Sequence, residues 1–371
     1  MALTRLTSAN AIPDDSVANV KMANIVQSKN IIINGDMQVS QRSTSTASVT
    51  TVGYYTVDRM QWIADYGTVT LSQDTDVPSG YGFANSFKAD VTTAGTVVSA
   101  GYVLLRQKIE GQNLQYLKKG TSSAQSLTLS FWIKSTKTGT YIAELYDNDN
   151  TRQISKSYTV SASNTWEKKT ITFAGDTTGA FGNDNAASLF VNLYLSAGSD
   201  YTSGTLNTSW AASTNANRVV GQVDAQDNTS NNIYFTGIQL EAGDTASEFE
   251  FLPYSVNLER CQRYCIKSGT GSSHNSVGGL GLAFSTTQVD TNFYLYLPMR
   301  SMPSLTQSGN FQVSDASVGT ATTSITLISA QSSAYNLSVR SVVSSGLTDK
   351  RPYRLEAANS TTAHLLFSAE L

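Results

Sequence analysis

Between residues 30 and 252 the chain alternates apolar and polar side chains along one short segment after another, and that period of two excludes most other folds. The pattern runs through SLTLSFWIKS (126–135), TYIAELYD (140–147), SKSYTVSA (155–162), WEKKTITFAG (166–175), SLFVNLYLSAG (188–198) and NNIYFTGIQLEAG (231–243). Side chains along a strand point to opposite faces in turn, so each segment buries one face and leaves the other in water. Clusters of Gly, Asn, Asp and Ser separate the segments, and helical spacing is almost absent. Strands punctuated by turns, without helices between them, lead to an all-β chain whose main domain is a β-sandwich, and a jelly roll matches its size. The stretch NIIINGDMQVSQR (30–42) opens this domain. Ile31, Ile32 and Ile33 are expected to form a strand buried on both sides, and Asn34-Gly35-Asp36 to reverse it.

The flanks read differently. In residues 1–29, Pro13, Asp14, Asp15 and Ser16 make a helix start, but SVANVKMANIVQSK is too short and too weakly apolar to hold a helix alone. It has to be stabilised by something outside itself. PYSVNLERCQRYC (253–265) carries Leu258, Cys261, Tyr264 and Cys265 at helical spacing with Pro253 near its start, which predicts one short helix in a linker over 253–268. Strand patterns return in FYLYLPM, TSITLIS and YNLSVRSVV after the Gly-rich GTGSSHNSVGGLG, so residues 269–371 are expected to be a second, smaller β domain. A length of 371 residues accommodates this organisation.

Composition narrows the partners. The chain is 40% hydrophobic but only 14% charged, with a formal net charge of −3, so no basic field gathers nucleic acid or anionic lipid. A neutral, hydroxyl-rich surface suits a hydrogen-bonding partner such as a carbohydrate, whose binding should depend little on salt. Cys261 and Cys265 stand four apart, which fits neither a redox or zinc motif nor a disulfide framework, and are expected to pack in a core. The start MALTRLTSANAIPDD lacks the apolar stretch of a signal peptide, and no run approaches the roughly 20 apolar residues of a membrane span, so no membrane insertion is expected.

Sugars are held in β-sandwiches by aromatic faces, with amides and carboxylates reading the hydroxyls. Trp132 and Trp166 lie in or at the start of alternating strands and are expected to be core. Tyr201 and Trp210 lie in the loop SAGSDYTSGTLNTSWAASTNANR, where an aromatic must either cover the fold or meet a ligand. Tyr54, Tyr55 and Tyr81, with Tyr66, are further ligand-binding candidates. Asp58 and Arg59 in YTVDRMQW read as an intramolecular ion pair or turn bond rather than a sugar clamp. Arg106, Lys108 and Glu110 alternate and therefore share one side of a strand, expected to be a solvated or intersubunit face. No catalytic residue is assigned: His274 and His364 belong to no catalytic motif, and Asp147, Asp149, Asp184 and Asp200 sit in turn-forming contexts. No enzymatic activity and no cofactor are expected.

The segments NIIINGDMQVSQR, YTVDRMQW, LRQKIEG, SLTLSFWIKSTKTGTY, SNTWEKKTITFAGDTTGAF, NIYFTGIQLEAGDTASEFEFLPY and LERCQRY follow one another in an order that, over roughly residues 30–265, resembles a module of bacteriophage tail-fibre and virion receptor-binding proteins with a carbohydrate-binding-module-like jelly roll. SVANVKMANIVQSK is similar to the short segments by which such fibres trimerise and attach to the particle. The resemblance implies a homotrimer in the virion that binds a host surface polysaccharide or lipopolysaccharide, with residues 1–29 contacting other virion proteins and the C-terminal domain as a receptor-contacting tip. Related jelly rolls hold a structural calcium through acidic residues, but Gln38, Thr236 and Gly237 stand where those would be, so no metal is expected. Asp36 and Glu241 are expected to serve as turn caps and surface charge. Two alternatives stand beside receptor binding: a structural head, collar or tail appendage without a receptor, and a short tailspike that hydrolyses glycans.

Overall fold

The computed structural model describes residues 29–269, 271–315 and 317–371. The attachment segment expected over residues 1–29 lies, but for Lys29, outside the described residues.

Twelve strands build the sandwich: β1 (Ser45–Val49), β2 (Gln61–Ala64), β3 (Thr68–Asp74), β4 (Ser86–Thr93), β5 (Tyr102–Glu110), β6 (Leu127–Ser135), β7 (Gly139–Asp147), β8 (Arg152–Val160), β9 (Glu167–Phe173), β10 (Ala187–Ala197), β11 (Ala211–Ala212) and β12 (Asn232–Ala242). They form two antiparallel six-stranded sheets, ordered β1-β3-β4-β12-β6-β9 and β11-β8-β7-β10-β5-β2. The period of two sorts the side chains as expected. Trp62, Leu105, Ala143 and Leu193 of the second sheet meet Phe87, Phe131 and Phe235 of the first in one buried core. Residues one position away, such as Leu104, Arg106, Asn192 and Glu144, fall on the outer face of the second sheet.

The opening segment departs from expectation. Residues 31–33 form no strand; of the three isoleucines only Ile32 is fully buried. Their backbone is paired by side chains instead: the Gln107 amide accepts from the Ile33 N–H at 2.7 Å and donates to its carbonyl at 2.8 Å, and Asn30 Oδ1 accepts from Ile32 N at 3.0 Å. A buried polar backbone needs a partner, and these amides leave no neighbouring strand to be required. The reversal after it is present. Met37 N donates to the Asn34 carbonyl at 3.0 Å, and at Gly35 a Cβ would collide with the Ile238 carbonyl oxygen, so only glycine fits between this turn and β12.

The predicted helix runs over Tyr254–Gln262 and buries Asn257 and Cys261. The linker is not helical throughout, because Cys265–Ser268 is strand β13. Both cysteines are free and buried. The remaining strands are β14 (Ser276–Ala283), β15 (Gln288–Tyr294), β16 (Ser304–Ser308), β17 (Phe311–Ser314), β18 (Gly319–Leu327), β19 (Asn336–Val343), β20 (Pro352–Ala357) and β21 (His364–Ser368). Strands β14-β15-β19-β18-β17-β20 close into a barrel, and β13-β21-β16 form a three-stranded sheet beside it. Closure leaves the barrel no unpaired edge.

Charged side chains join the barrel region to the sandwich. Arg59, almost wholly buried, pairs with Glu370, lies 3.5 Å from the Tyr264 ring centroid and donates to the Lys108 carbonyl at 2.7 Å. Arg42 reaches the same Glu370 at 3.1 Å and faces Asp58 at 3.7 Å. Arg263 grips Glu110 with two bonds of 2.7 Å, and the Tyr264 hydroxyl adds a third at 2.5 Å. Asp58 and Arg59 are thus the intramolecular charges their sequence context suggested.

Candidate functional site

The outer face of the second sheet carries rows of side chains set by strand register. Gln61, Arg106, Asn192, Glu144 and Ser155 lie opposite one another across β2, β5, β10, β7 and β8. One step along the sheet, Lys108, Phe190, Tyr146 and Gln153 form a parallel row. A third row, Ile63, Leu104, Tyr194 and Ile142, is capped by Val219 and backed by Tyr102, Tyr201 and Leu206, so residues 198–223 fold over that end of the sheet.

The polar row is wired together. Glu144 is completely buried and accepts from Arg218 Nε (2.8 Å) and Nη2 (2.9 Å), from Asn192 Nδ2 (2.7 Å) and from the Tyr194 hydroxyl (3.1 Å). Arg106 Nε donates to Asn192 Oδ1 at 2.7 Å, which links both guanidinium groups through one amide. A buried carboxylate is tolerated only when its lone pairs are met, and Glu144 meets that condition. The network also locks the rotamers of the two arginines.

Beside it stand two aromatic rings. Phe190 and Tyr146 stack with centroids 5.7 Å apart and planes 27° from parallel. Three cations bracket the pair: Arg106 at 4.8 Å and Lys108 at 5.4 Å from the Phe190 centroid, and Arg218 at 5.0 Å from that of Tyr146. Burial and the nearby guanidinium groups of Arg106 and Arg59 push the Lys108 ammonium below its usual value. The arrangement offers apolar ring faces next to fixed N–H donors, which is what a sugar ring with one apolar face and equatorial hydroxyls requires.

Two of the sequence candidates frame this face. Tyr201 stands at the covered end, edge-on to Tyr102 at 5.1 Å and 5.8 Å from Arg218. Tyr54 stands at the other end, where its hydroxyl donates to the Leu371 carbonyl at 3.2 Å and Lys108 Nζ donates to the same oxygen at 2.8 Å. Burial, reinforced by Glu370, pushes the Tyr54 hydroxyl up to about 12. The two tyrosines position the ends of the face more than they offer free rings.

Trp210 and Tyr55 are corrections. The Trp210 indole donates to the Ala174 carbonyl at 2.7 Å and its ring packs on the main core, so it covers the fold. Tyr55 packs on the same core and bonds Thr51 through its hydroxyl. Tyr81 is exposed but on the opposite face of the sandwich, against Trp132. Trp132 and Trp166 are not core: both are half-buried, and Trp166 donates to Asp76 Oδ1 at 3.0 Å. The buried tryptophan is Trp62. Glu110 is a second correction to the strand-face reading, since it is buried in the junction and not solvated.

Phe190, Asn192, Glu144, Tyr146 and Arg218 were not singled out from the sequence. The signal lay in phase: within SLFVNLYL and AELYD the outward positions hold Phe190, Asn192 and Tyr194, and Glu144 and Tyr146, an aromatic and amide-rich set where a plain wet face carries Ser, Thr or Lys.

The acidic turn residues behave as turn formers. Asp147 accepts from the N–H groups of Asp149 (3.0 Å) and Asn150 (3.1 Å) and pairs with Lys119 at 2.5 Å. Asp149 and Asp184 accept from the N–H groups of Gly182 and Ala186. Asp36 and Glu241 are not surface charges; both are buried. Asp36 accepts from Asn257 Nδ2 at 3.0 Å, and burial raises its carboxyl, while Glu241 accepts from Ser247 N and Oγ, both at 2.8 Å. Among the described residues no three His, Cys, Asp or Glu side chains stand where they could hold a metal ion. No helix of the described residues is long and apolar enough to cross a membrane.

No protein-family model matches the chain, and no curated protein does. Among solved structures, its fold is similar to the enzymatically active domain of tailspike protein 4 of bacteriophage CBA120, at 17% identity and a TM-score of 0.30 over 58% of this chain and 21% of that one. It is also similar to TmCBM61 in complex with beta-1,4-galactotriose (10% identity, TM-score 0.29, 58% of this chain, 99% of that one). A third is the family 11 carbohydrate-binding module from Clostridium thermocellum in complex with a beta-1,3-1,4-mixed-linked tetrasaccharide (13% identity, TM-score 0.26, 55% and 99%). The chain spans about a fifth of the tailspike chain it matches. The β-sandwich itself is read from this chain's two antiparallel six-stranded sheets.

Proposed function

We propose that the protein is a non-enzymatic virion fibre component, assembled as a homotrimer, that binds a host cell-surface glycan through the outer face of the second sheet. The observation that carries the glycan reading is the stacked Phe190–Tyr146 pair bracketed by Arg106, Lys108 and Arg218 and backed by the buried Glu144–Asn192 network. Its rings supply apolar area and its locked donors supply direction, at little further entropy cost on binding. Virion location and attachment rest on the resemblance of residues 30–265 and of the N-terminal segment to phage fibre proteins. Trimer formation would add avidity to weak individual sites.

The test uses fluorescently labelled full-length protein on candidate host cells and on their extracted polysaccharide, beside the variant Tyr146→Ala/Phe190→Ala. Both rings are partly exposed, so the variant is expected to fold and to lose cell labelling by about tenfold or more. Equal labelling by both proteins removes the site. Absence of labelling, together with retained binding to a virion protein, replaces the receptor reading with a structural appendage. Shortening of the polysaccharide by the purified protein overturns the non-enzymatic reading.

Glu144 neutralises Arg218, so Arg106 and Lys108 are the cations through which an acidic polysaccharide would bind this face more weakly as salt rises, whereas a neutral one would keep the weak salt dependence expected from the net charge of −3.

A further inference from the structure

On the opposite side of the sandwich, the outer face of the first sheet holds a pocket of about 220 Å³ lined by the aromatic residues Tyr81, Phe83, Trp132, Phe249 and Phe251, by Gly237, and by the polar residues Ser130, Lys168 and Glu248. Three separate pieces of chain supply its rings. Strand β6 contributes Trp132, the loop before β4 contributes Tyr81 and Phe83, and the segment after β12 contributes Phe249 and Phe251.

The rings form a corner and a wall. Tyr81 and Trp132 meet at 4.3 Å with planes 50° apart. Phe83, Phe249 and Phe251 pack on one another with centroids 4.9–5.1 Å apart. Rings packed this closely usually lie in a core, yet Tyr81 is 54% and Phe251 46% exposed. The backbone is shaped around them. β12 breaks register between Thr236 and Gln239, and Gly237 within that break has a φ of 61°. A Cβ there would lie 2.6 Å from Phe83 and 3.2 Å from Trp132. A glycine in a bulge in mid-strand weakens the strand and marks a close approach. Here the approach is that of the aromatic wall.

We infer that this pocket is a second carbohydrate site, which takes a single neutral pyranose unit with an unbroken C–H face. The ring lies against Trp132 and Tyr81, and Lys168, Glu248 and Ser130 meet its hydroxyls. Register sets Lys168 directly opposite Trp132 across β6 and β9, so a charged donor stands beside the stacking surface. The pocket is smaller than the roughly 300–1,000 Å³ of sites that enclose drug-sized ligands, which suits one ring at a chain end and not a long oligosaccharide. Separate pieces of chain enclose it, so it is a pocket and not a flat docking strip. It lies on the other sheet from the Phe190–Tyr146 face, and neither site depends on the other.

The experiment is saturation-transfer NMR of the full-length protein with a panel of methyl glycosides of common bacterial hexoses, N-acetylhexosamines and 6-deoxyhexoses. At least one glycoside is expected to receive saturation through its ring protons, to lose it in Trp132→Ala and in Tyr81→Ala, and to keep it in Tyr146→Ala/Phe190→Ala. Tyr81 is exposed enough that its variant folds even where Trp132→Ala does not. Loss of polysaccharide binding in Tyr146→Ala/Phe190→Ala alone tests the first site and leaves this signal unchanged. No saturation from any glycoside, or a signal that Tyr81→Ala leaves intact, overturns the proposal. So does a Tyr81→Ala variant whose only change is a smaller mass in solution, since the pocket would then seat a second copy of the chain.

Discussion

At the scale of single residues, the face of the second sheet depends on one buried charge. Glu144 has no exposure, and its principal neutralising partner is Arg218, held in a two-point contact. Removing one member of such a pair leaves the other charge desolvated and unpaired, which costs about 3–5 kcal/mol. Arg218→Ala is therefore expected to lower the unfolding free energy of the sandwich by that amount. Arg218→Ala/Glu144→Gln, which also removes the stranded charge, should recover a large part of it. Chemical denaturation followed by tryptophan fluorescence checks this, because Trp62 reports the core directly. If the single variant is no less stable than the double, the network is not what holds the face. An equal loss of glycan binding in both variants would show that Arg218 contributes to binding itself and not only by neutralising Glu144.

At the scale of elements, the connecting helix and the strand after it are pinned to β5 by a carboxylate. Burial works against ionisation of Glu110, but hydrogen bonds from Arg263 and Tyr264 outweigh it and hold the carboxyl below its ordinary value of 4.5. A depressed folded value means that the stabilisation is complete above about pH 4.5 and is lost as pH falls through the lower value of the folded state. The junction is expected to loosen in mild acid before the sandwich core melts, and Arg263→Ala should abolish that early acid step. Limited proteolysis near residues 262–268 between pH 6 and pH 3 checks it; identical acid profiles for both proteins would exclude the pair as the cause. The same elements show what sequence could reveal. Strands β6 to β10 and β12 were legible because apolar residues recur at alternate positions along each, and the helix because its spacing is 3.6. The isoleucines at 31–33 misled because their backbone is paired by Gln107 and Asn30, side chains distant or polar enough to leave no local trace. Trp132 misled because alternation gives two phases but not which is inside, and it is its neighbours Phe131 and Ile133 that take the inner phase. The aromatic site assembled from β7, β10 and residue 218 left a local trace only in the outward phase of its two strands, and none that joins Arg218 to them.

At the scale of the whole molecule, the two halves differ in how they treat apolar surface. The sandwich keeps most of its large apolar residues inward; outside the Tyr81–Trp132 pocket and the Phe190–Tyr146 pair, those it exposes, such as Val52, Val98 and Tyr116, lie in its loops. The barrel leaves Leu280, Leu282 and Phe284 of one strand and its turn exposed, at alternate positions that share a face, with Tyr294, Tyr296 and Leu297 exposed nearby on the next. Leu280 sits opposite Arg354 on β20, and Leu282 opposite Pro352 on β20 and Asp290 on β15, so the exposed apolar side chains form a row along one strand and its turn. A row of large exposed apolar side chains is a candidate contact surface, and a closed barrel has no strand edge through which to associate instead. Association of copies through this face is the economical way to cover it and accords with the proposed homotrimer. Sedimentation equilibrium of the full-length protein is expected to give three times the chain mass. Leu282→Asp/Phe284→Asp, which changes only exposed side chains, should reduce it to one while the barrel keeps its β-sheet circular dichroism. A native protein that sediments as a monomer would leave the face to a different virion partner, and a trimer indifferent to both substitutions would move the contact to another surface of the chain.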